Sequence, residues 1–560
     1  MTAKRFGAPL LAIILLALAL RTIFPAADPP WRSTVGVVWH DEGAWVHNAR
    51  NKALFGAWRQ DEWNPVFIAP VFTGLEYLSF AAFGVGVRQA RLVSELAGVA
   101  SVILLALGLR RVSGDAAALA GGALLATNYV YVMYDRAAIM EALMAAFIVA
   151  SWYCSTRAEQ HPAWGALAGL MATLAFFTKA AAAFYVGALG LAMLARLVLP
   201  PDQAEGKRAA VWTLAGLAGA FAVVAIVFMI PHWADYRFYN WQMSVTRKPS
   251  YTIASLATRA IWFPILHDTF SRMWPSLVLG ICGGWTAAIN WRRASDGERL
   301  LLLWVAVGSA ELLLHDVGNE RRFVFLIPAL AALASIVLAR GQLLPPEASR
   351  ISRSRLILFA PVILYASYVV AGPVARLLFL GDVHVHKLRW AVRLAAALGA
   401  MLGATAIVAW PRARRVLTQR TWGRAAAGVF VGAAVAWNLC QFWQWAAART
   451  YKNYEASIAV GHALPPETLV QGKLANGLSL ENRIRPIFIG HEFGNYADRK
   501  QREDVRYILT YTVPWIGYEG SQIKDVLAAY PGWRIIMTFD VAETPGGHDT
   551  AALIDKRARH

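Results

Sequence analysis

The sequence predicts an all-α polytopic membrane protein that carries a small α/β domain at its C-terminal end. Three observations point there. The composition is 57% hydrophobic and only 16% charged, with a mean hydropathy of +0.43, outside the usual range of soluble globular chains. Apolar runs of spanning length recur between Pro9 and Trp445. Beyond about Thr450 the pattern changes to short β-rich segments alternating with amphipathic helical ones.

A span needs roughly 20 mostly apolar residues to cross about 30 Å of hydrocarbon. Runs of this kind lie at Pro9–Phe24, Leu92–Leu109, Ala116–Val132, Ile139–Ser155, Gly165–Phe177, Ala181–Val198, Val211–Ile230, Pro275–Asn290, Leu300–Leu314, Phe323–Ala339, Leu356–Leu380, Ala391–Trp410 and Ala425–Trp445. They amount to about thirteen transmembrane helices. Around Thr178 and Lys179 the text LAFFTKAAAAFYVG admits either a tight turn between two spans or one long helix. The N-terminal run has the basic start and apolar core of a signal peptide, but FPAADPP is a poor cleavage site. It therefore reads as a retained first span, with cleavage as the alternative.

A formal charge of +19 would suggest a nucleic-acid partner in a soluble protein. In a polytopic chain it is the expected excess of Lys and Arg on cytoplasmic loops, and no nucleic acid is expected. Lys4 and Arg5, Arg110 and Arg111, Arg157, Lys207 and Arg208, Arg292 and Arg293, Arg350 with Arg353 and Arg355, and the PRARRVLTQRTWGR loop fall on alternate loops. This places the N-terminus in the cytoplasm, and an odd number of spans carries the tail to the other side. The three cysteines, Cys154, Cys282 and Cys440, all lie in apolar runs, which excludes a disulfide framework or a paired zinc spacing.

The expected division is residues 1–446 as the membrane domain and 447–560 as an extracytoplasmic α/β domain. The first outer loop, residues 25–90, reads as amphipathic helices through EGAWVHNARNKALFG and PVFIAPVFTGLEYLSFAAFG. The second of these is apolar enough to lie in the membrane interface. In the tail, TLVQGK, RPIFIG, VRYILTYTV and WRIIMTFDV read as strands, and NYEASIAVGHAL and SQIKDVLAAY as helices.

The outer loops carry the chemistry. Asp41 and Glu42 are adjacent, so on a helix their side chains diverge by about 100° and cannot jointly hold one proton. Asp41 either caps the helix that follows or faces a site, and both roles stay open. In YDRAAIMEALMAAF, Glu141 enters hydrocarbon depth, where a carboxylate marks a functional site or an ion pair with Arg136 or a neighbouring span. Lys179, Arg321, Arg322, Lys387 and Arg389 are cations on the side where Lys and Arg are disfavoured, a pattern that suits either an anion such as phosphate or snorkelling to headgroups. His40, His47, His232, His267, His315, His384 and His386 lie outside as well, without His-Glu-x-x-His spacing. No metal ligand or cofactor is assigned, and a divalent metal remains compatible.

The order of these features, from the acidic pair through NPVFIAPVFTGLEYLSFAAFG, YDRAAIMEALMAAF and MATLAFFTKA to ERRFVFLIPALAAL, resembles the C-type polytopic glycosyltransferases (GT-C). It is most similar to the bacterial branch of protein mannosyltransferases and lipid A aminoarabinose transferases, a glycosyltransferase family 39-like group. The resemblance implies a membrane glycosyltransferase that moves a hexose or pentose from a polyprenyl-phosphate carrier to an envelope lipid, glycan or protein acceptor. It implies residence in the bacterial inner membrane with the tail domain periplasmic or extracellular. It assigns Asp41, Glu42 and Glu141 as catalytic acids, with Asp41 the general base or acceptor-orienting group and Glu42 steadying the loop, and Arg136, Lys179, Arg321 and Arg322 as donor-phosphate ligands. The chain departs from the family at Asn64, Pro65 and Val66, where His-Pro-Pro is common, and at Ala44 and Trp45, where aminoarabinose transferases carry an arginine; Arg50 or Arg59 are the candidate substitutes. Readings from other classes are a polytopic transporter and a non-catalytic envelope-assembly scaffold.

Overall fold

The computed structural model describes residues 3–30, 39–198, 204–241, 252–266, 272–315, 320–341, 423–490, 494–512, 520–542 and 550–557, with isolated positions between 364 and 410. Nearly all of the expected spans Leu356–Leu380 and Ala391–Trp410, together with His267, His384, His386, Lys387 and Arg389, lie outside the described residues.

After helix α1 (Ala3–Thr22), the described part of the loop of residues 25–90 folds as α2 (His40–Trp45), α3 (His47–Phe55), a 3₁₀ turn at Pro65–Phe67 and α4 (Pro70–Phe83). The next element, α5 (Val87–Thr127), is two helices joined at Gly114, whose φ of 84° is open to glycine at little steric cost. The chain reverses there, so that Gly121 packs against Leu109 and Gly122 against Ala106. The first half covers the expected run Leu92–Leu109; the second ends at Thr127, so the expected run Ala116–Val132 crosses a break at Asn128.

Asn128 then accepts from the Tyr131 amide to start α6 (Tyr129–Asp135), and α7 (Met140–Ser155) follows at a bend of 113°. After α8 (Pro162–Thr178) the backbone of Lys179 is extended, and a 3₁₀ turn at Ala180–Ala182 starts α9 (Ala183–Val198). The ambiguous segment is therefore a tight turn. Helix α10 (Ala204–Val224) runs on through a π turn at Ala225–Met229, followed by α11 (Trp233–Trp241), α12 (Ile253–Leu266), α13 (Trp274–Ile289) and α14 (Asp296–His315). A 3₁₀ segment, Glu320–Leu326, enters α15 (Ile327–Arg340), and α16 (Arg424–Ala447) and α17 (Lys452–Ala463) lead to the tail.

Among the described residues five helical stretches are long and apolar enough to cross a membrane, or six if the bent α6–α7 pair is one span. The expected count of thirteen is not confirmed. Shorter apolar helices, Phe6–Thr22, Pro162–Thr178 and Pro275–Ile289, fall on three more of the expected runs.

The buried centre is α15, Ala-rich and enclosed by α5 and α13. Gly280 and Gly283 of α13 leave no room for a Cβ against Leu330 and Leu333, the small-residue approach that brings membrane helices together. At the rim, Val223, Ile226, Val227 and Ile230 at the end of α10 and Val429 and Trp443 of α16 are exposed, the apolar surface a bilayer covers. Arg110, Arg111, Arg196, Arg299 and Arg340 gather at one end of the bundle, where Arg196 bonds Asp296 at 2.7 Å and Arg340 pairs with Glu298. The loop of residues 25–90 and the tail lie at the other end.

The tail adds β1 (Leu469–Gln471), α18 (Lys473–Gly477), β2 (Arg485–Ile487), β3 (Tyr507–Tyr511), α19 (Gly520–Ala528), β4 (Arg534–Asp540) and β5 (Thr550–Asp555). They form one five-stranded sheet in the order β2-β1-β3-β5-β4, parallel across β2, β1 and β3 and antiparallel beyond. Four strands fall on the segments read as β-rich; β5, in the short run TAALID, was not among them.

The tail and the loop of residues 25–90 interlock. Trp39 sits in the hydrophobic core of the tail with Val460, Val470, Leu474 and Leu509, while Leu480 and Phe488 of the tail join the core of the bundle. Buried Arg50 donates to the carbonyls of Ser479, Asn482 and Ile484 at 2.9 to 3.0 Å. Glu481 accepts from the Val87 amide at the start of α5.

Candidate active site

Charged residues from five separated segments meet at this interlocked end. Helix α2 presents Asp41, buried to 8% exposure, because Trp39 is anchored in the tail core just before it and Trp45 is packed in the bundle core just after it. One carboxylate oxygen of Asp41 accepts from Arg321 at 2.6 Å, and the other lies 2.9 Å from Nζ of Lys473. Arg321 enters from the 3₁₀ segment before α15, and its Nε reaches Glu141 at 3.4 Å. Glu141 stands in the first turn of α7, fully buried, and accepts from Lys179 at the break between α8 and α9. The result is a continuous chain of charges, Lys473, Asp41, Arg321, Glu141 and Lys179.

Electrostatics follow from this packing. Burial alone would raise the Asp41 carboxyl, but the Lys473 and Arg321 cations beside it hold it well below the usual carboxylate range. For His40, burial and the Lys473 cation lower the imidazole to about 3, against the opposing pull of Asp41, so it stays neutral. Its Nε2 stands 4.0 Å from Asp41, too long for a hydrogen bond.

The remaining sequence candidates stand elsewhere. Glu42 points away from Asp41, as adjacent helical positions must, and takes a bidentate pair with Arg91 at 2.8 Å on both oxygens plus the Ala138 amide at 2.9 Å. Arg136 does not meet Glu141. It donates to the carbonyls of Leu20, Arg21 and Phe24, closing the end of α1, and lies over the Trp445 ring at 4.5 Å. Asp135 beside it pairs instead with buried Arg21 at 2.7 Å. Arg322 follows Arg321 in the 3₁₀ segment and stands among the cations around Lys179.

Of the substitutes for the missing loop arginine, Arg50 fastens the tail and Arg59 pairs with Asp235 at 2.9 Å on the surface. Asn64, at the position of departure from His-Pro-Pro, bridges Asn48 and the Tyr239 hydroxyl at 2.9 Å. Among the described residues no group of three His, Cys, Asp or Glu side chains is placed to hold a metal. His47 is engaged with Asp61 at 2.9 Å.

The residue that sequence reasoning missed is Lys473. Its only signal is a lysine at the junction of β1 and α18, in QGKLANG, a place with no charge pattern to distinguish it. What brings it to Asp41 is the docking of α18 on α2, where a Cβ on Gly43 would stand 1.8 Å from the Asn476 carbonyl oxygen. Only glycine permits that approach.

Comparison with known proteins agrees with this architecture. Residues 68–230 match the family model described as dolichyl-phosphate-mannose-protein mannosyltransferase. That segment includes Arg136, Glu141 and Lys179 but not Asp41, Arg321 or Lys473. The whole fold is similar to ArnT from Cupriavidus metallidurans, with a TM-score of 0.55 at 16% identity for its apo state, covering 100% of this chain and 99% of that one. The same protein bound to undecaprenyl phosphate gives 0.52 at 17% identity, covering 98% and 97%. The oligosaccharyltransferase from Archaeoglobus fulgidus in its apo form gives 0.50 at 13% identity, covering 91% of this chain and 70% of that one. No curated protein matches the sequence. The resemblance to the C-type glycosyltransferases read from motif order holds in the fold and in the family match.

Proposed function

We propose that this chain, which has the fold of the C-type membrane glycosyltransferases, moves a sugar from a polyprenyl-phosphate carrier to a hydroxyl or amine acceptor of the bacterial cell envelope, on the extracytoplasmic face of the inner membrane. The observation that carries this reading is the Asp41, Arg321, Glu141 and Lys179 chain at the end of the bundle opposite the arginine-rich loops. Basic loops favour the cytoplasmic side, so the cluster faces outward. A similar fold has been crystallised with undecaprenyl phosphate.

The chemistry is a single displacement with inversion. The acceptor oxygen or nitrogen loses its proton to the Asp41 carboxylate as it bonds to the anomeric carbon of the sugar. The bond between that carbon and the phosphate oxygen breaks, and its electron pair leaves with the phosphate. Arg321 and Lys179 meet the developing charge, and buried Glu141 holds both cations in place. A transporter would be expected to keep such groups near the bilayer midplane; here they gather at one end.

The test is transfer in proteoliposomes supplied with radiolabelled polyprenyl-phosphate hexoses and pentoses and an envelope-lipid extract as acceptor. Wild-type protein is expected to label the extract, and Asp41→Asn to lose about 10²–10⁴-fold of the rate while remaining folded. An Asp41→Asn protein with wild-type turnover would remove Asp41 as the base, and a wild-type protein inert towards every donor would remove the glycosyltransferase reading.

A further inference from the structure

We propose that Lys473, delivered by the C-terminal domain, is a cation of the donor-phosphate site, held by Asp41 when no donor is bound and drawn to the phosphate when the donor arrives. The inference rests on the proposed glycosyltransferase reading and adds a residue, and a role for the tail, that the fold alone does not assign.

A carboxylate clamped between Arg321 at 2.6 Å and Lys473 at 2.9 Å is a weak base, because both cations stabilise its ionised form. Asp41 can accept the acceptor's proton well only if some of that positive charge is taken up by another anion. A phosphodiester is such an anion, and Arg and Lys both bind it strongly.

The geometry identifies the cation that can move. Of the three cations Lys473 has the most exposed side chain, 24% against 17% for Arg321 and 13% for Lys179, and the latter two are held by Glu141, so the open edge of the cluster lies at Lys473. Its four-carbon stem lets the ammonium swing without moving α18, and α18 itself is fixed by the contact of Gly43 with Asn476 and by Trp39 in the tail core. Among the described residues the groups facing Asp41 are His40 on its own helix, Lys473 from α18 and Arg321 from the segment before α15, with Glu141 and Lys179 linked through Arg321. Neutral His40 offers no competing charge.

Exchange of this kind makes Asp41 and the phosphate competitors for the same cations. Undecaprenyl phosphate binding to the full chain in nanodiscs tests it. Lys473→Met is expected to bind about 10- to 100-fold more weakly, and Lys473→Arg to recover most of the loss, with melting temperatures near wild type. Asp41→Asn, which removes the competing carboxylate, is expected to bind about tenfold more tightly. Wild-type affinity in Lys473→Met, or unchanged or weaker binding in Asp41→Asn, overturns the proposal. Should Lys473→Met fail to fold, Asp41→Asn and Lys473→Arg still decide it. A wild-type protein that binds no undecaprenyl phosphate removes the polyprenyl donor itself, an outcome distinct from equal binding by wild type and variants.

Discussion

The carboxylate of Asp41 bridges two segments from distant parts of the chain, with Arg321 on one oxygen at 2.6 Å and Lys473 near the other at 2.9 Å. The acid thus ties the bundle to the tail domain at the same point where it faces the site. In the proposed reaction stability and chemistry are coupled there, and substitutions should separate residues that serve one from residues that serve the other.

Arg321 and Arg136 provide one such separation. Arg321 touches both site carboxylates, while Arg136 serves three carbonyls at the end of α1. Arg321→Ala is expected to lower turnover by about 10²-fold or more through lost stabilisation of the leaving phosphate. Arg136→Ala is expected to lower the melting temperature, with KM and kcat of the surviving folded protein close to wild type. Steady-state kinetics together with thermal unfolding of both variants check this.

Glu42 is expected to behave as a structural acid. Its bidentate pair with Arg91 is buried on both sides, 5% and 6% exposed, and removal of one partner of a buried pair costs about 3–5 kcal/mol. Glu42→Gln should therefore lose stability, measured by chemical or thermal unfolding in detergent. Whatever fraction stays folded should keep its turnover, which a catalytic Glu42 would not.

Gly43 tests the docking of the tail. With the Asn476 carbonyl oxygen 1.8 Å from where a Cβ would stand, Gly43→Ala must push α18 away from α2. Turnover is expected to fall as Lys473 retreats from Asp41, while the bundle stays folded. Faster limited proteolysis between α17 and β2, with an unchanged fragment pattern from the membrane helices, would report the displaced domain.

His40 gives the site an acid limit. Its ordinary value is 6.5 and burial with Lys473 lowers it to about 3 in the folded chain. The unfolded chain thus binds a proton in this window that the folded chain does not. The contribution of neutral His40 to stability is fully present above pH 6.5 and is lost progressively as pH falls from there towards 3. His40→Gln is expected to flatten the decline of melting temperature between pH 7 and pH 5; an equally steep decline in the variant would show that other groups set it.

Much of this protein was legible in its sequence because the signals are local. A carboxylate in an otherwise apolar segment marked Glu141, and Lys179 and Arg321 stood out as positive charges on the side where such charges are disfavoured, though only the structure decided whether Lys179 sits at a turn or within one long helix. The alternation of β-rich and helical patterns announced the tail sheet, though the short run of β5 lacked the length to stand out.

What only the tertiary structure decided is which charges meet. Asp41 and Glu42 have the same charge and neighbouring positions, and they part because successive helical residues point about 100° apart, one towards Arg321 and Lys473 and the other towards Arg91. Arg136 and Arg321 both lie at the start of apolar helices, yet one closes the end of α1 and the other joins Glu141. Lys473 carries no mark in the sequence, because its place beside Asp41 comes from chain reversal and from the missing side chain of Gly43, which lets two backbones approach. Residue type and hydropathy act over a few neighbours and fix the class of the protein; electrostatic partnership acts through space, and only the folded chain sets it.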